Sequence, residues 1–274
     1  MISLEKNGDM AILVVSCDAY ADVAEYFFPL YYKYWSDSPF PVYFVNNTLS
    51  KDYGQTVTVI NAGNEKDWSG RVKLALGQIK EKYILFMLED YYIGKHVNSK
   101  KISEALNIMD SEKIVYYRIT NQPKGKSEYK KYKYLSPIAD NQAYGVNLQA
   151  AIWEKEFFEK SLGDIDCSAW AVEINHLKKV KDKFSGNIKG CVIDTREIID
   201  IHNGVIKGKW VPKTLKYFEK NGFSIDKGAR GVLSLKNQLS INARASLSPI
   251  FSNESRRFLK KNLSKLGFSF TSDK

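Results

Sequence analysis

The segment Tyr83–Leu88 limits the possible folds more than any other part of the sequence, because every one of its residues is apolar or aromatic. A strand that is apolar at every position has both faces buried, which is typical of a central strand in a parallel sheet covered by helices. Two acidic residues, Glu89 and Asp90, end this run abruptly. The segment therefore predicts an α/β protein with acidic side chains at one edge of its sheet.

Strand-like and helix-like patterns alternate through the first half of the chain. The predicted strands are Met10–Val15, Pro41–Val45 and Thr56–Ile60, and the predicted helices are Ala21–Trp35 and Ser69–Ile79. Either Asp67 or Ser69 can cap the second helix, because short oxygen-bearing side chains accept hydrogen bonds from the first free N–H groups. This alternation predicts a doubly wound, mostly parallel, Rossmann-like sheet flanked by helices.

The second half carries weaker signals of the same kind. They predict helices at Ser99–Met109, Trp153–Leu162 and Ser168–Lys178, strands at Ile114–Ile119, Ala143–Ala151 and Cys191–Asp200, and loops at Gly125–Tyr134 and His202–Trp210. The first of these loops is rich in lysine and polar residues, and we expect it to act as a flexible lid.

Composition narrows the class of protein further. A chain of 274 residues suits one main domain with a tail, and no apolar run approaches the roughly 20 residues of a membrane helix. The charged N-terminus is not built like a secretory signal, and Cys17, Cys167 and Cys191 form no metal or disulfide spacing, so we expect an unexported, cytosolic protein. The net charge of +10 favours anionic partners, from nucleotide diphosphates to acidic membranes, although a solvated lysine-rich surface has the same composition.

Polar side chains follow the predicted strands at the sheet edge where open α/β sheets bind ligands. Ser16, Asp18 and Tyr20 come after the first strand, Asn46 after the second, and Glu89 with Asp90 after the fourth. An acidic pair in this position can hold a divalent cation that neutralises a diphosphate, or it can simply end the strand. Arg71, at the start of a predicted helix, can bind phosphate together with the helix dipole, or it can be an ordinary surface arginine.

Five short motifs together resemble the GT-A glycosyltransferases, particularly the family 2-like enzymes of capsule, O-antigen and lipopolysaccharide synthesis in bacteria. The motifs are VVSCDAY, WSGR, LFMLEDYYI as a variant of the DxD motif, NLQAAIWEKEFF and SAWAVE, which span about residues 10–173. The resemblance implies a GT-A-like catalytic domain at residues 1–235, with a donor half to about residue 120 and an acceptor half from about 121. A basic amphipathic helical tail at 236–274 completes the expected organisation.

The resemblance also implies roles on the donor side. Asp18 and the loop beside it would contact the base or ribose of a nucleotide-sugar donor, and Asp90 would coordinate Mn²⁺ or Mg²⁺ on the donor diphosphate. Leu88 stands where the first acid of the DxD motif is usual, so one cation contact is missing or supplied differently. The stretch from His202 to Trp210 resembles a closing loop, in which His202 would add a metal ligand and Lys207, Lys209 and Trp210 would cover the diphosphate.

On the acceptor side, the resemblance places Gln149, Trp153 and Trp170 near the incoming hydroxyl, with Glu173 as the general base of an inverting hexosyltransferase. Asp164 and Asp166 are reserve candidates for the base. The amphipathic tail, which carries Arg256 and Lys260, suits an anionic bilayer and hence a lipid-linked acceptor, or it packs on the main domain. This indicates a place in the cytoplasm, with possible peripheral contact at the inner face of the membrane.

Two other function classes fit parts of the sequence. A degenerate protein of the same fold that binds nucleotide or glycan without catalysis fits the leucine in the DxD-like motif. A nucleic-acid-binding protein fits the run Tyr129-Lys-Lys-Tyr-Lys-Tyr134, although no known nucleic-acid motif frames it and we expect no nucleic-acid partner. A nucleotidyltransferase is disfavoured, because the glycine-rich basic loop of such enzymes is absent after the first strand.

Overall fold

A central sheet of eight strands organises the described part of the chain. The structure is a computed structural model that describes residues 9–121, 125, 127–138, 145–174 and 190–234. The strands of the large sheet are β1 (Met10–Val15), β2 (Val42–Asn46), β3 (Val57–Asn61), β4 (Tyr83–Leu88), β6 (Tyr116–Arg118), β7 (Leu135–Pro137), β8 (Ala151–Glu154) and β9 (Cys191–Asp194). Their order is β3-β2-β1-β4-β8-β6-β9-β7, and only β7 and β8 run antiparallel to their neighbours.

Two small antiparallel pairs lie beyond the large sheet. Strand β5 (Tyr91–Ile93) pairs with β10 (Ile201–Asn203), and β11 (Val205–Ile206) forms a hairpin with β12 (Lys209–Trp210). Lys207 and Gly208 form the turn of this hairpin with φ of 51° and 73°, the positive values that a tight two-residue turn requires. The loop predicted at residues 202–210 is therefore wrong in part, because this stretch contains paired strands.

Helices cover both faces of the large sheet. They are α1 (Ala21–Tyr34), α2 (Trp68–Gln78), α3 (Ser99–Glu112), α4 (Lys155–Leu162), a helical segment α5 at 169–174, and α6 (Pro212–Lys220). Alternate residues of β4 serve the two resulting cores: Leu85 and Met87 pack with α1 and α3, whereas Ile84 and Phe86 pack with α2 and α4. This double burial explains why β4 is apolar throughout, and it confirms the predicted α/β fold with a mostly parallel sheet.

The strand predicted at Ala143–Ala151 is the clearest error in the sequence analysis. Residues 145–150 form bends, and β8 begins only at Ala151. Backbone groups of this stretch bond to side chains outside it, since the Tyr116 hydroxyl donates to the Asn147 carbonyl oxygen at 3.2 Å and Leu148 N donates to Glu173 at 3.2 Å. The stretch therefore lies at the edge of the sheet and does not pair as a strand.

Residues up to Gly231 within the described ranges belong to one compact unit. The boundary predicted between residues 235 and 236 and the tail that follows it lie outside the described residues. The division into donor and acceptor halves stays a prediction. None of the described helices is long and apolar enough to cross a membrane.

Candidate active site

Two carboxylates lie directly beyond the carboxyl end of β4, at the edge of the sheet where β1 and β4 run side by side. Glu89 is only 7% exposed, and Asp90 is half-buried. The Asp90 carboxylate accepts a hydrogen bond from Val205 N at 3.3 Å, and its backbone carbonyl oxygen accepts one from Gly204 N at 2.7 Å. The hairpin β11–β12 thus holds the acidic pair in place.

Burial shifts the ionisation of both carboxyl groups. It raises the pKa of Asp90 to about 7, although the hydrogen bond from Val205 opposes the shift. Burial also raises the pKa of Glu89 well above its usual value, and the negative charge of Asp90 raises it further. Two acids that are costly to ionise at a sheet edge form a site that favours a cationic partner.

Two arginines from distant parts of the chain lie near this pair. The charges of Arg230 and Arg71 both lower the pKa of Glu89, in that order, against the larger effect of burial. Arg71 is buried, and its Nη1 donates to the Lys66 carbonyl oxygen at 3.0 Å. Its Nε is also buried and has no hydrogen-bond partner among the described residues, so one strong donor of the guanidinium is unused.

Arg230 is a site residue that the sequence analysis missed. Its guanidinium forms two hydrogen bonds with the Asp22 carboxylate, at 2.9 and 2.8 Å, and lies 4.6 Å from the ring centroid of Tyr20. It also donates to the carbonyl oxygens of Ala19 at 3.0 Å and Gly208 at 3.2 Å. Arg230 and Asp22 are 208 residues apart in sequence, and nothing in the run Gly-Ala-Arg-Gly marks this arginine in advance.

Lys207 and Lys209 lie in the same region as Arg230. Together with Arg230 they line an open depression of about 690 Å³ beside the start of α1. The structure therefore brings these two predicted diphosphate-binding lysines to the neighbourhood of Tyr20 and Arg230. Trp210 is different, because it is 0% exposed and its indole Nε1 donates to the Lys227 carbonyl oxygen at 2.9 Å. The prediction that Trp210 covers a diphosphate is wrong, since its side chain belongs to the core.

Asp18 uses its carboxylate to join two loops. It accepts hydrogen bonds from Asn47 N, Thr48 N and the Thr48 hydroxyl, the last at 2.6 Å. Burial would raise the pKa of Asp18, but these bonds outweigh it and hold the pKa below its usual value. Ser16, directly after β1, and Asn46, the last residue of β2, are both buried where these loops begin. The carboxylate of Asp18 therefore fixes the shape of the loops that follow β1 and β2.

Asp166 caps helix α2 from across the chain. Its carboxylate accepts hydrogen bonds from Asp67 N at 2.9 Å, the Ser69 hydroxyl at 3.0 Å and Gly70 N at 2.6 Å. Asp67 is the local N-cap, because its own carboxylate accepts from Trp68 N. Asp166 is thus a capping residue and the wrong candidate for a reserve base. The helix N-terminus where we expected phosphate to bind beside Arg71 is already occupied by a carboxylate.

Glu173 lies on α5, and hydrogen bonds through Leu148 link it to Tyr91, the residue that follows the acidic pair. Leu148 N donates to the Glu173 carboxylate, and the Tyr91 hydroxyl donates to the Leu148 carbonyl oxygen at 3.3 Å. Burial raises the pKa of Glu173 above its usual value, with the bond from Leu148 opposing the shift. Burial raises the pKa of Tyr91 as well, and the charges of Asp90, Glu173 and Glu89 add to this effect. These four groups therefore form one electrostatic cluster.

The three residues predicted on the acceptor side have different environments. Trp153 is 1% exposed and stacks on Phe158 with ring centroids 4.4 Å apart, so the prediction that it contacts an acceptor is wrong. Trp170 is 54% exposed on α5, three residues before Glu173. Gln149 is half-buried, and its Oε1 accepts a hydrogen bond from the Thr120 hydroxyl at 2.8 Å.

His202 does not join Asp90 in a metal site. Its Nε2 lies 3.3 Å from Asp200 Oδ2, and its ring stacks on Tyr217 with centroids 4.0 Å apart. Within the described ranges, no group of three or more His, Cys, Asp or Glu side chains is arranged to hold a metal ion. The residues present still fit a cation held by two carboxylates and completed by ligand phosphates and water, as Mg²⁺ commonly is.

Comparisons with known proteins bear on the fold alone. No family model matches the chain, and no curated protein matches it in sequence. The solved structure of the mannosyltransferase PcManGT from Pyrobaculum calidifontis, in complex with GDP-Man and Mn²⁺, matches over 95% of this chain and 81% of its own, with 10% identity and a TM-score of 0.46. S. aureus TarS 1-349 in complex with UDP matches over 70% of this chain, with 14% identity and a TM-score of 0.44. A cytidylyltransferase from Leptospira borgpetersenii matches over 67% of this chain and 78% of its own, with 13% identity and a TM-score of 0.40.

This chain spans 59% of the TarS fragment, less than two thirds of its length. All three TM-scores lie below 0.5, so the chemistry of the site is inferred from the contacts and charges of this chain alone.

Proposed function

We propose that this protein is an inverting glycosyltransferase that moves a sugar from a nucleoside diphosphate to a hydroxyl of a surface-glycan or lipid-linked acceptor. One observation carries the proposal. An acidic pair with one buried and one half-buried member, two arginines and a half-buried third carboxylate come together at the carboxyl edge of the parallel sheet, which the loops after β1 and β2 also border. Ligands in open α/β sheets bind at this edge.

The donor side of the proposal rests on charge. A diphosphate needs positive charge, and Arg71, Arg230, Lys207 and Lys209 supply it from two directions. Glu89 and Asp90 fit a divalent cation, Mn²⁺ or Mg²⁺, which when bound would neutralise the charge that develops on the leaving diphosphate. Asp18, Ser16 and Asn46 shape the loops that face the base and ribose, and Tyr20 lies beside them under Arg230.

The acceptor side rests on Glu173. In an inverting transfer the acceptor oxygen attacks the anomeric carbon as the bond to the diphosphate oxygen breaks, and the hydroxyl proton passes to a carboxylate base. A base works best when its pKa approaches the working pH, and burial moves the pKa of Glu173 in that direction. The bond from Leu148 N fixes the orientation of this carboxylate, and the exposed ring of Trp170 offers a surface for an acceptor sugar. Hexosyl transfer at the cytoplasmic face of a bacterial membrane is the setting that we propose.

Leu88 favours a second candidate, a protein of the same fold that binds nucleotide or glycan without catalysis. The residue replaces the first acid of the DxD-like motif and is partly exposed at the end of β4. Nucleic-acid binding is less well supported. Tyr134, which belongs to the tyrosine-lysine run, donates its hydroxyl to Glu104 at 2.5 Å, and the Arg196 guanidinium lies 3.6 Å from its ring centroid, so one face of this ring is already covered.

A binding titration tests the proposal. Nucleoside diphosphates and nucleotide sugars are titrated with and without Mn²⁺ against the wild type, Asp90→Asn and Glu173→Gln, with Glu159→Gln on the exposed face of α4 as control. A ligand at one hundred times its Kd adds about 2.7 kcal/mol of stability, which a thermal shift detects. We expect one nucleotide to bind with Mn²⁺ dependence, Asp90→Asn to lose that dependence, and Glu173→Gln to bind donor but transfer no sugar.

The same variants separate the two candidates. Donor binding with no transfer by the wild type to any acceptor tested supports the non-catalytic protein. No binding of any nucleotide contradicts the transferase and, within the second candidate, leaves only a glycan-binding protein. For an active enzyme, the anomeric configuration of the isolated product, read by NMR, decides whether transfer inverts or retains.

A further inference from the structure

A separate cavity of about 210 Å³ lies next to the proposed catalytic cluster. Tyr91 forms part of its wall, and the rest comes from residues 119–121 after β6, the bend that carries Gln149, and the segment 197–203 that leads into β10 and includes it. Tyr91 donates its hydroxyl to the Leu148 carbonyl oxygen, and Leu148 N donates to Glu173, so the cavity adjoins the segment that holds the proposed base. Its volume exceeds the roughly 150 Å³ of an engineered protein cavity that binds benzene, so it has room for one six-membered sugar ring.

The wall of this cavity carries groups that bind hydroxyls. The Thr120 hydroxyl donates to Gln149 Oε1, which fixes the side-chain amide and leaves its NH₂ group with no partner among the described residues. Asn203, opposite Tyr91 in the β5–β10 pair, adds a second amide. An aromatic face with amide donors and acceptors around it binds the apolar face and the hydroxyl groups of a sugar together.

The charge of the cavity argues against an anionic occupant. Glu197 and Asp200 both line it, and among the described residues no lysine, arginine or histidine does. Lys95 approaches Asp200 at 3.5 Å but is largely exposed to solvent. A cavity with two carboxylates on a protein of net charge +10 selects against phosphate, which the arginine-rich depression beside α1 would attract instead.

We propose that this cavity is the acceptor subsite and that it binds one uncharged sugar ring, excluding acceptors that present a phosphate or carboxylate at this position. The inference rests on the proposed function, because it assigns the substrate class of the same site. It adds that the acceptor is recognised through a neutral terminal sugar held by Tyr91, Gln149 and Asn203, and not through a lipid phosphate.

Saturation-transfer NMR tests this assignment with free sugars and the full chain. A panel of neutral hexoses and N-acetylhexosamines is compared with glucuronate and glucose 6-phosphate, in the presence of the nucleoside diphosphate that binds the donor site. We expect at least one neutral sugar to bind saturably and its anionic counterparts to bind at least tenfold more weakly. Gln149→Leu, nearly isosteric, removes the amide, and Thr120→Val removes the hydroxyl that orients it. Each should weaken sugar binding about fivefold or more, as expected for one lost hydrogen bond.

A matched variant controls for the glutamine replacement itself. Gln78→Leu makes the same change at the exposed end of α2 and should leave sugar binding unchanged. Thermal unfolding of each variant shows whether it is folded. If both cavity variants bind the sugar as the wild type does, or if no neutral sugar binds while nucleotide still does, the cavity is not the acceptor subsite.

A competition experiment decides whether the cavity binds the acceptor sugar or the sugar of the donor. Nucleotide sugar that displaces the free sugar, where nucleoside diphosphate does not, would place the donor sugar in this cavity and overturn the acceptor assignment. If the protein binds no nucleotide but binds a sugar that Gln149→Leu weakens, the cavity is a sugar site and the proposed transfer reaction is contradicted.

Discussion

Because Asp166 caps α2, the effect of Gly70→Ala on the free energy of unfolding should depend on whether Asp166 is present. A Cβ at Gly70 would lie 2.3 Å from Asp166 Oδ2, so Gly70→Ala must displace the capping carboxylate. Asp166→Ala removes the same carboxylate directly. Loss of a cap costs about 1 to 2 kcal/mol, and alanine in place of glycine inside a helix gains roughly 0.5 to 1 kcal/mol.

These values give an expectation for each variant. Asp166→Ala should lower the free energy of unfolding by about 1 to 2 kcal/mol. Gly70→Ala in the wild type should combine the lost cap with the gain in helix propensity, for a net effect between about zero and a loss of 1.5 kcal/mol. In the Asp166→Ala background the cap is already gone, so Gly70→Ala should stabilise the protein by roughly 0.5 to 1 kcal/mol. The coupling energy between the two sites is then about 1 to 2 kcal/mol.

Urea unfolding of the four proteins measures this coupling, and Gly77 in the same helix supplies the control. A Cβ at Gly77 meets nothing within 4 Å, so Gly77→Ala should stabilise both backgrounds equally. Because α2 also carries Arg71, Asp166→Ala should weaken nucleotide binding, whereas Gly77→Ala should not. Equal effects of Gly70→Ala in the two backgrounds would refute the capping role of Asp166.

Three further predictions follow from burial. Trp153→Ala should lower the free energy of unfolding, measured in urea, by about 3 to 5 kcal/mol. A loss below about 1 kcal/mol would contradict the core position of this side chain and support the prediction that it contacts an acceptor. Asp194 is 0% exposed and forms an ion pair with Arg196. Arg196→Leu would leave this carboxylate buried without its cation and should lower the free energy of unfolding by about 3 to 5 kcal/mol. Adding Asp194→Asn removes the buried charge, so calorimetry of the double variant should show that much of the loss is recovered. Glu173 must be ionised to act as a base, so kcat should rise with pH through its raised pKa, above the range of an ordinary glutamate. Steady-state kinetics should show this rise, and Glu173→Gln should abolish transfer at every pH; a profile unchanged in that variant would exclude this base.

The sequence predicts the fold best where burial alone decides the structure. The bounds predicted for β1 and β4 agree with the structure because both strands are buried on both faces and must be apolar throughout. The short strands β5 and β7 and helix α6 were not predicted, because strands of three residues and partly polar helices carry too little periodicity. The predicted strand at Ala143–Ala151 failed for the opposite reason, since apolar residues there pack as bends around a hydrogen-bonded Asn147.

The sequence predicts which residues lie at the ligand-binding edge of the sheet, but not which groups their side chains contact. Polar residues after each strand were found because the carboxyl ends of parallel strands meet at one edge. Trp153 and Trp210 were assigned to ligands because a sequence does not show whether an aromatic side chain faces the core or the solvent. The roles of Arg230 and Asp166 depend on hydrogen bonds between residues 208 and 99 positions apart, which no local pattern contains.

The acidic pair itself depends on parts of the chain that are distant in sequence. Gly204 and Val205 donate to Asp90, and Arg230, near the end of the compact unit, reaches back to Asp22 at the start of α1. These contacts place the hairpin β11–β12 and Arg230 around carboxylates that belong to the first half of the chain. Without that segment the pair would be solvated, the cost of ionising Asp90 would fall, and the charge balance that favours a cation and a diphosphate together would be lost. The proposed donor site therefore requires the residues up to Arg230, even though the strand that carries its carboxylates ends at Leu88.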